Sequence, residues 1–268
     1  MAAKTSNGVR LIIPDSHGAH VDRAAAQAMI ADAKRMNVTE VVWLGDHLDC
    51  GGIFSAHQRS YTNEIAESWA DDCDAANWLL DAVQKATPGA RHHYIEGNHE
   101  FHVERWASRT FTHKTDADRY LERQGPAAVL RLKERGIQFY RQGELHGNCS
   151  VPGMIRLGKV FFTHGWAFSR HATYAHLSAA GESIVHGHTH RAQSILTRTA
   201  TSDAIGGHCP GTLAKLQPLY RHNSPSEWTH GYAVELFSST GRFLHIHVPI
   251  VRGQSMLESV RALTGKRR

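Results

Sequence analysis

TEVVWLGDHLD, Thr39 to Asp49, carries two signals in one short stretch. Thr39 to Leu44 is an apolar run rich in β-branched residues, the mark of a buried strand. It ends on Gly45, Asp46, His47 and Asp49, polar groups delivered where a strand gives way to a tight turn. On the amino side, Val21 to Met36 is alanine-rich with apolar residues at helical spacing. Before it, Val9 to Pro14 is a second β-branched run stopped by proline. On the carboxyl side, Asn63 to Ala86 carries Ile65, Trp69, Trp78, Leu79 and Val83 as a helix, and His93 to Ile95 makes a third strand. The order βαβαβ predicts a parallel sheet with helices packed on its faces.

Glu100 to Gly136 reads differently: helical, charged and basic, with Arg105, Arg109, Lys114, Arg119, Arg123, Arg131, Lys133 and Arg135. Strands are then expected at Ile137 to Tyr140, Met154 to Leu157, Lys159 to Thr163, Ser183 to Val185 and Gln193 to Thr199. Two more follow at Gly231 to Phe237 and Phe243 to Ile250, joined by a Ser-Ser-Thr-Gly turn. A short helix is expected near His171 to Ala180, and the tail from Met256 to Arg268 reads as an amphipathic helix with a basic end. No linker or repeat interrupts this order. The expectation is one α/β domain over residues 1–268, with a helical basic insertion at about 101–135 and closing strands at about 193–250.

Composition narrows the class. The 268 residues weigh 29.8 kDa, enough for a sizeable core. A 41% hydrophobic content with six tryptophans excludes a disordered chain. The formal charge of +5 permits a polyanionic partner without demanding one. No apolar run approaches the roughly 20 residues of a bilayer span, so no membrane partner is expected. The opening MAAKTSNGVRLIIPD lacks a long apolar segment, which argues against a secretory signal. Cys50, Cys73, Cys149 and Cys209 show no CxxC spacing, against both a disulfide framework and a thiolate zinc site. A cytoplasmic protein is expected, with the oligomeric state open.

The unusual number is 21 histidines. Many fall directly after expected strands, where open α/β sheets place their ligands. Asp15-Ser16-His17 follows the first strand, Gly45 to Asp49 the second, and Gly97-Asn98-His99-Glu100 the third. His164-Gly165 follows Lys159 to Thr163, and His186-Gly187-His188-Thr189-His190 closes the series. Each cluster alone has an ordinary explanation: turn chemistry for GDxxD, a helix cap for Asn98, a satisfied core histidine for His164. Five in order at successive strand ends do not. Carboxylate, imidazole and amide oxygen suit Mn²⁺, Fe or Zn²⁺ rather than Ca²⁺. There are more ligands than one ion needs. Two ions sharing a carboxylate would use them all, clamp an in-line displacement at phosphorus, and lower the pKa of water held between them.

With DxH, GDxxD, GNH[DE], a lone His and GHxH all present from Asp15 to His190, the chain resembles the calcineurin-like metallophosphoesterase superfamily. The resemblance implies a four-layer α-β-β-α sandwich of two mixed sheets with a dinuclear site at the strand ends. It implies one metal on Asp15, His17 and His190, a second on Asn98, His164 and His188, and Asp46 bridging them. His99 matches the histidine that protonates the leaving oxygen or holds the phosphate, and Asp49 the carboxylate that orients it. The implied cofactors are two divalent ions, Mn²⁺ first, with Fe, Zn²⁺ and Ni²⁺ as alternatives.

Departures from the pattern refine the expectation. Protein phosphatases of this superfamily place arginines where this chain has Cys50 and Glu96. The recombination-repair nucleases carry a capping domain, whereas the stretch after His190 is short and expected to be closing strands. A compact, single-domain phosphodiesterase of bacterial or phage type fits, using metal-bridged hydroxide on a nucleotide or nucleic-acid phosphoester. The runner-up is a phosphomonoesterase, and a non-catalytic scaffold comes third. His47 and His186 are expected behind the ligands. The segment Phe101 to Arg135 is expected to fold over the site, with its basic residues on a nucleic-acid backbone and Trp106, Phe111 and Tyr120 either stacking on bases or buried. Arg59, Arg105 and Arg170 are the nearest basic residues to the motifs in sequence.

Overall fold

The computed structural model describes residues 7–50, 68–200, 203–218 and 225–258. The first sheet grows from the βαβαβ stretch. Strands β1 (Gly8–Ile13), β2 (Glu40–Trp43), β3 (Arg91–Ile95) and β4 (Gln138–Tyr140) lie parallel in that order. On the other side of β1, antiparallel strands β10 (Gly231–Phe237), β11 (Phe243–Val251) and β12 (Gln254–Ser255) complete a seven-stranded sheet. The second sheet has five strands: β5 (Met154–Leu157), β6 (Val160–Thr163), β7 (Ile184–His186), β9 (Ala204–Cys209) and β8 (Gln193–Arg198). β6, β7 and β9 are parallel, and β5 and β8 are antiparallel edges.

The alternation of the strands explains the layers. Ile12, Val42, Leu44 and Ile95 of the first sheet or its strand ends meet Ile155, Val160, Phe162 and Val185 of the second in one apolar core. Alternate residues such as Leu11, Ile13, Val41 and Trp43 point the other way. There they pack under α1 (Arg23–Ala33) and α2 (Trp69–Ala86), capped by the side chains of Asp22 and Ser68. The outer face of the second sheet meets α6 (Ala172–Ala180) through Phe161, Ile184 and Leu177. The result is an α-β-β-α sandwich of two mixed sheets. At the end of β1 remote from Asp15, buried Arg10 ties β1 to both neighbours through Glu40 at 2.7 Å and Glu235 at 2.6 Å.

The structure departs from the sequence reading in three places. The basic segment is three helices, α3 (Asn98–Thr110), α4 (Lys114–Gln124) and α5 (Pro126–Val129), broken around Phe111–His113 and at Gly125 before Pro126. Its far end is tied to α2. Arg135 donates to Asn77, Gln84 and Asp81 of α2, and Asn77 donates to the Val129 carbonyl. Trp106, Phe111 and Tyr120 pack on one another at centroid distances of 5.3–6.2 Å, and Trp106 and Tyr120 also lean on the main core. These rings are occupied by packing. Finally, β9 was hidden by Gly206-Gly207: a Cβ on Gly207 would meet Thr173 and Leu177 of α6 at 3.0–3.1 Å. Close helix approach thus dictates Gly207, while a Cβ on Gly206 would meet the side chains of His208 and Leu196 at 2.5 and 3.1 Å. Arg59, the expected start of α2 at Asn63, and the tail beyond Glu258 lie outside the described residues.

Candidate metal centre

All the motif residues converge where β1, β2, β3, β6 and β7 end. Asp15, His17 and His190 present ligand atoms within 4.8 Å of one another, and so do Asp46, His164 and His188. In the first group, His190 Nε2 lies 3.2 Å from Asp15 Oδ2 and 3.0 Å from His17 Nε2. In the second, His164 Nε2 lies 2.9 Å from Asn98 Oδ1, 3.2 Å from His188 Nδ1 and 3.2 Å from Asp46 Oδ2. Ring nitrogens and oxygens this close together are donor atoms that one cation could share.

The backbone is shaped to bring these atoms together. His17, Asp46, Cys50, His188 and His190 all have positive φ, between 51° and 68°. Left-handed backbone is unfavourable for residues with a Cβ, and clusters of it mark functional sites. Two motif glycines serve close approach instead. A Cβ on Gly97 would fall 2.1 Å from Asp46 Oδ1, and one on Gly187 would fall 2.5 Å from Asp15 Oδ1. The glycines thus leave room for the two carboxylates.

Neighbouring groups fix which nitrogen faces inward. His164 Nδ1 donates to the Leu44 carbonyl at 2.8 Å, leaving Nε2 for the centre. His17 Nδ1 pairs with Asp49 Oδ1 at 2.8 Å, which aims its Nε2 likewise. Asp49 therefore holds His17 with its carboxylate. His99, expected to take that carboxylate, has Nδ1 at 3.5 Å from it and donates to the Asp49 main-chain carbonyl at 2.5 Å. His99 Nε2 reaches to 4.0 Å from Asp46 Oδ2, and the ring is half-buried. Asn98 and His99 both enter the site on the first turn of α3, where the His99 amide donates to Asp46 Oδ1 at 2.8 Å.

The electrostatics suit cations. Burial works against the charge of Asp15 and Asp46, yet histidine charges around them, His190 and His164 foremost, hold both below the usual carboxylate range. Burial also opposes the charge on His17 and His164, but Asp49 and Asp46 raise them to about 9 and about 10. Burial drives His188 down to about 4 and His190 down as well. The buried carboxylates thus favour positive charge at His17 and His164. With the space left by the two glycines, this donor set fits divalent ions.

Two acids that the sequence reading did not single out hold the site's loops. Glu100, fully buried on α3, accepts from the backbone N–H of Asp46, His47, Leu48 and Gly97 and from the Tyr94 hydroxyl, at 2.7–3.1 Å. Asp72, buried on α2, accepts from the N–H of Asp49, Cys50 and Ala19 at 3.0–3.3 Å. The GNH[DE] pattern contains Glu100, but nothing in sequence marks Asp72. His47 and His186 sit behind the ligands, bonded to Ser16 Oγ at 2.9 Å and Thr173 Oγ1 at 2.8 Å, and burial lowers both to about 3.

Asp72 supports a pH prediction. Burial and the charge of Asp49 raise its pKa from 3.8 to about 6. A carboxyl raised in the folded state binds its proton there more tightly, so stability falls as pH climbs from about 4 to about 6. Asp72→Asn removes this loss. Relative to the parent, the variant should be favoured at pH 7 over pH 4 by about 2–3 kcal/mol in urea unfolding. A difference between the two proteins that is the same at both pH values contradicts this account.

No protein-family model matches the chain, and no curated protein does. Among solved structures it is similar to Vacuolar Protein Sorting 29 from Cryptosporidium parvum, at 9% identity over 94% of this chain and 95% of that one, TM-score 0.47. It is also similar to the phosphoesterase YfcE from E. coli, at 13% identity over 89% and 98%, TM-score 0.36. A third is the nuclease MPE from Pseudomonas putida, at 12% identity over 88% and 87%, TM-score 0.36.

Proposed function

We propose that this chain is a dinuclear-metal-dependent phosphoesterase of the calcineurin-like type, acting on phosphodiesters of nucleotide or nucleic-acid kind. The observation that carries the reading is the position of Asp46. Its Oδ2 lies 3.2 Å from His164 Nε2 and 3.9 Å from His17 Nε2, one ligand of each cluster. A carboxylate so placed serves two ions. Asp15, His17 and His190 would hold one, and Asn98, His164 and His188 the other. When bound, such ions supply charge neutralisation for phosphoryl oxygens and water of lowered pKa, and Mn²⁺ suits these donors. His99 presents Nε2 to the site while its Nδ1–H is held by a carbonyl, so the imidazolium form would have an Nε2–H to give to a leaving oxygen.

The preference for a diester rests on two described positions. Cys50 and Glu96, which stand where phosphatase-type arginines belong, are both buried, and Glu96 accepts from the Gln142 N–H at 2.8 Å. Neither offers a cation for the extra charge of a monoester. The four cysteines are all free, which suits a reducing cytoplasm.

The test compares bis-p-nitrophenyl phosphate with p-nitrophenyl phosphate on metal-stripped protein refilled with Mn²⁺. The diester should have the higher kcat/KM. Preference for the monoester supports a phosphomonoesterase, and inactivity on both with two ions bound sinks the enzyme reading. Asn98→Ala or His188→Ala should each leave about one ion per chain by elemental analysis. Two tightly held ions in either variant would overturn the ligand assignment.

A further inference from the structure

The loop that follows His164 presents aromatic rings to solvent. Trp166 is 42% exposed and Phe168 78% exposed, against an otherwise buried set of strand-end residues. Exposed rings on a mobile loop would signify little, but this loop is held. The Trp166 N–H donates to His176 Nε2 at 3.0 Å, and the Trp166 ring lies on that imidazole at 4.3 Å between centroids. Arg191 donates to the carbonyls of Phe168 and Ser169 at 3.0 and 2.7 Å, and Gln193 donates to that of Arg170 at 2.8 Å.

These anchors set the loop along the metal centre. It starts at Gly165, where an added Cβ would lie 3.4 Å from the Cβ of His188, a ligand of the second cluster. It is stapled further on by Arg191, the neighbour of His190 in the first cluster. A third ring, Trp228, packs on His190 at 4.2 Å. The loop thus runs beside candidate metal ligands and carries solvent-exposed rings. Arg170, 79% exposed, adds positive charge on the same loop; Glu227 lies 3.8 Å away, and an exposed pair of this kind is worth little. Rings interleaved with a basic side chain are the means by which proteins hold unpaired bases, since every base offers a π-face.

We infer that Trp166 and Phe168 form a stacking platform for the nucleobase of the substrate, making this site selective for phosphoesters of nucleosides. The inference rests on the phosphodiesterase reading and deepens it by naming the side chains that would hold the base. The rings act on binding, so their removal shows in KM rather than kcat.

The experiment uses two esters with the same leaving group, thymidine 5′-(p-nitrophenyl phosphate) and methyl p-nitrophenyl phosphate, on the Mn²⁺-loaded protein. Phe168→Ala and Trp166→Ala should raise KM for the nucleoside ester roughly 5- to 100-fold, the loss of one base–aromatic stack. KM for the methyl ester and both kcat values should stay within about twofold, and Phe168→Tyr should restore the parent KM. Phe168→Ala is the decisive variant, because Trp166 also packs on His176. A binding arm is independent of turnover: by calorimetry, thymidine 5′-monophosphate should bind the parent more tightly than ribose 5-phosphate, and the Phe168→Ala variant should lose the difference. Equal loss on both esters, no loss on either, or equal binding of the two monophosphates overturns the platform. If neither ester is turned over, the phosphodiesterase reading fails, and the calorimetry still decides whether the rings hold a base.

Discussion

His99→Ala should lower turnover of a phosphodiester by 10²- to 10⁴-fold while both metal ions stay bound, the cost of losing a positioned acid–base group. The geometry separates the two effects. His99 belongs to neither the Asp15, His17 and His190 group nor the Asp46, His164 and His188 group, although it forms a third with His17 and Asp49; its Nε2 lies 4.0 Å from Asp46 Oδ2. The fall should depend on the leaving group. With p-nitrophenolate, which departs without a proton, the variant should keep far more activity than with an alkoxide. Asp49→Asn gives the contrasting result. Its carboxylate is 2.8 Å from His17 Nδ1 but 3.5 Å from His99 Nδ1, whose own partner is the Asp49 carbonyl. The substitution should therefore loosen the metal on the Asp15, His17 and His190 side and leave leaving-group dependence unchanged. If His99→Ala retains full activity on an alkyl diester, or sheds metal, its assigned role is wrong.

The strand-end motifs were legible because each combines three local necessities: a β-branched strand, a glycine, and a polar residue with no packing use. Asp15, Asp46, Asn98, His164, His188 and His190 could be found this way without knowing which strands are neighbours. What could not be found depends on distance in space. Asp72 lies in the first turn of α2, where an acid suits the helix N-terminus, and reads as an ordinary solvent-facing residue until α2 is seen beside the Asp49 loop. The choice of His17 over His99 as the partner of Asp49 turns on less than 1 Å. Gly206-Gly207 reads as a loop because the space at Gly207 is taken by α6 and that at Gly206 by His208 and Leu196, which strand propensity does not reveal. The basic segment misleads in the opposite sense. Its aromatics are conspicuous in sequence, yet they pack on one another, while Trp166 and Phe168, two and four residues after His164, stand exposed.

Glu100 carries the largest expected effect on stability. Its two oxygens accept five donors, four of them backbone N–H groups in the turns that bear Asp46 and Asn98. In a buried site each donor left without an acceptor costs about 1–3 kcal/mol. Glu100→Gln keeps the shape but replaces one acceptor oxygen by an NH₂ that faces N–H groups. At least two bonds are then lost, and a destabilisation of about 3–5 kcal/mol follows, lowering Tm by roughly 10 °C for a chain of this size. The loss should extend to the site, because the Asp46 and His47 amides are among those freed. Metal affinity should fall with stability even though Glu100 touches no ion, and saturating Mn²⁺ should recover part of the lost Tm by mass action. A variant with unchanged urea midpoint and unchanged metal content would mean that the turns keep their shape without this carboxylate. The positive φ of Asp46 would then have to be enforced from elsewhere, by the Ser16 and His17 amides that donate to its carbonyl at 3.0 and 2.9 Å.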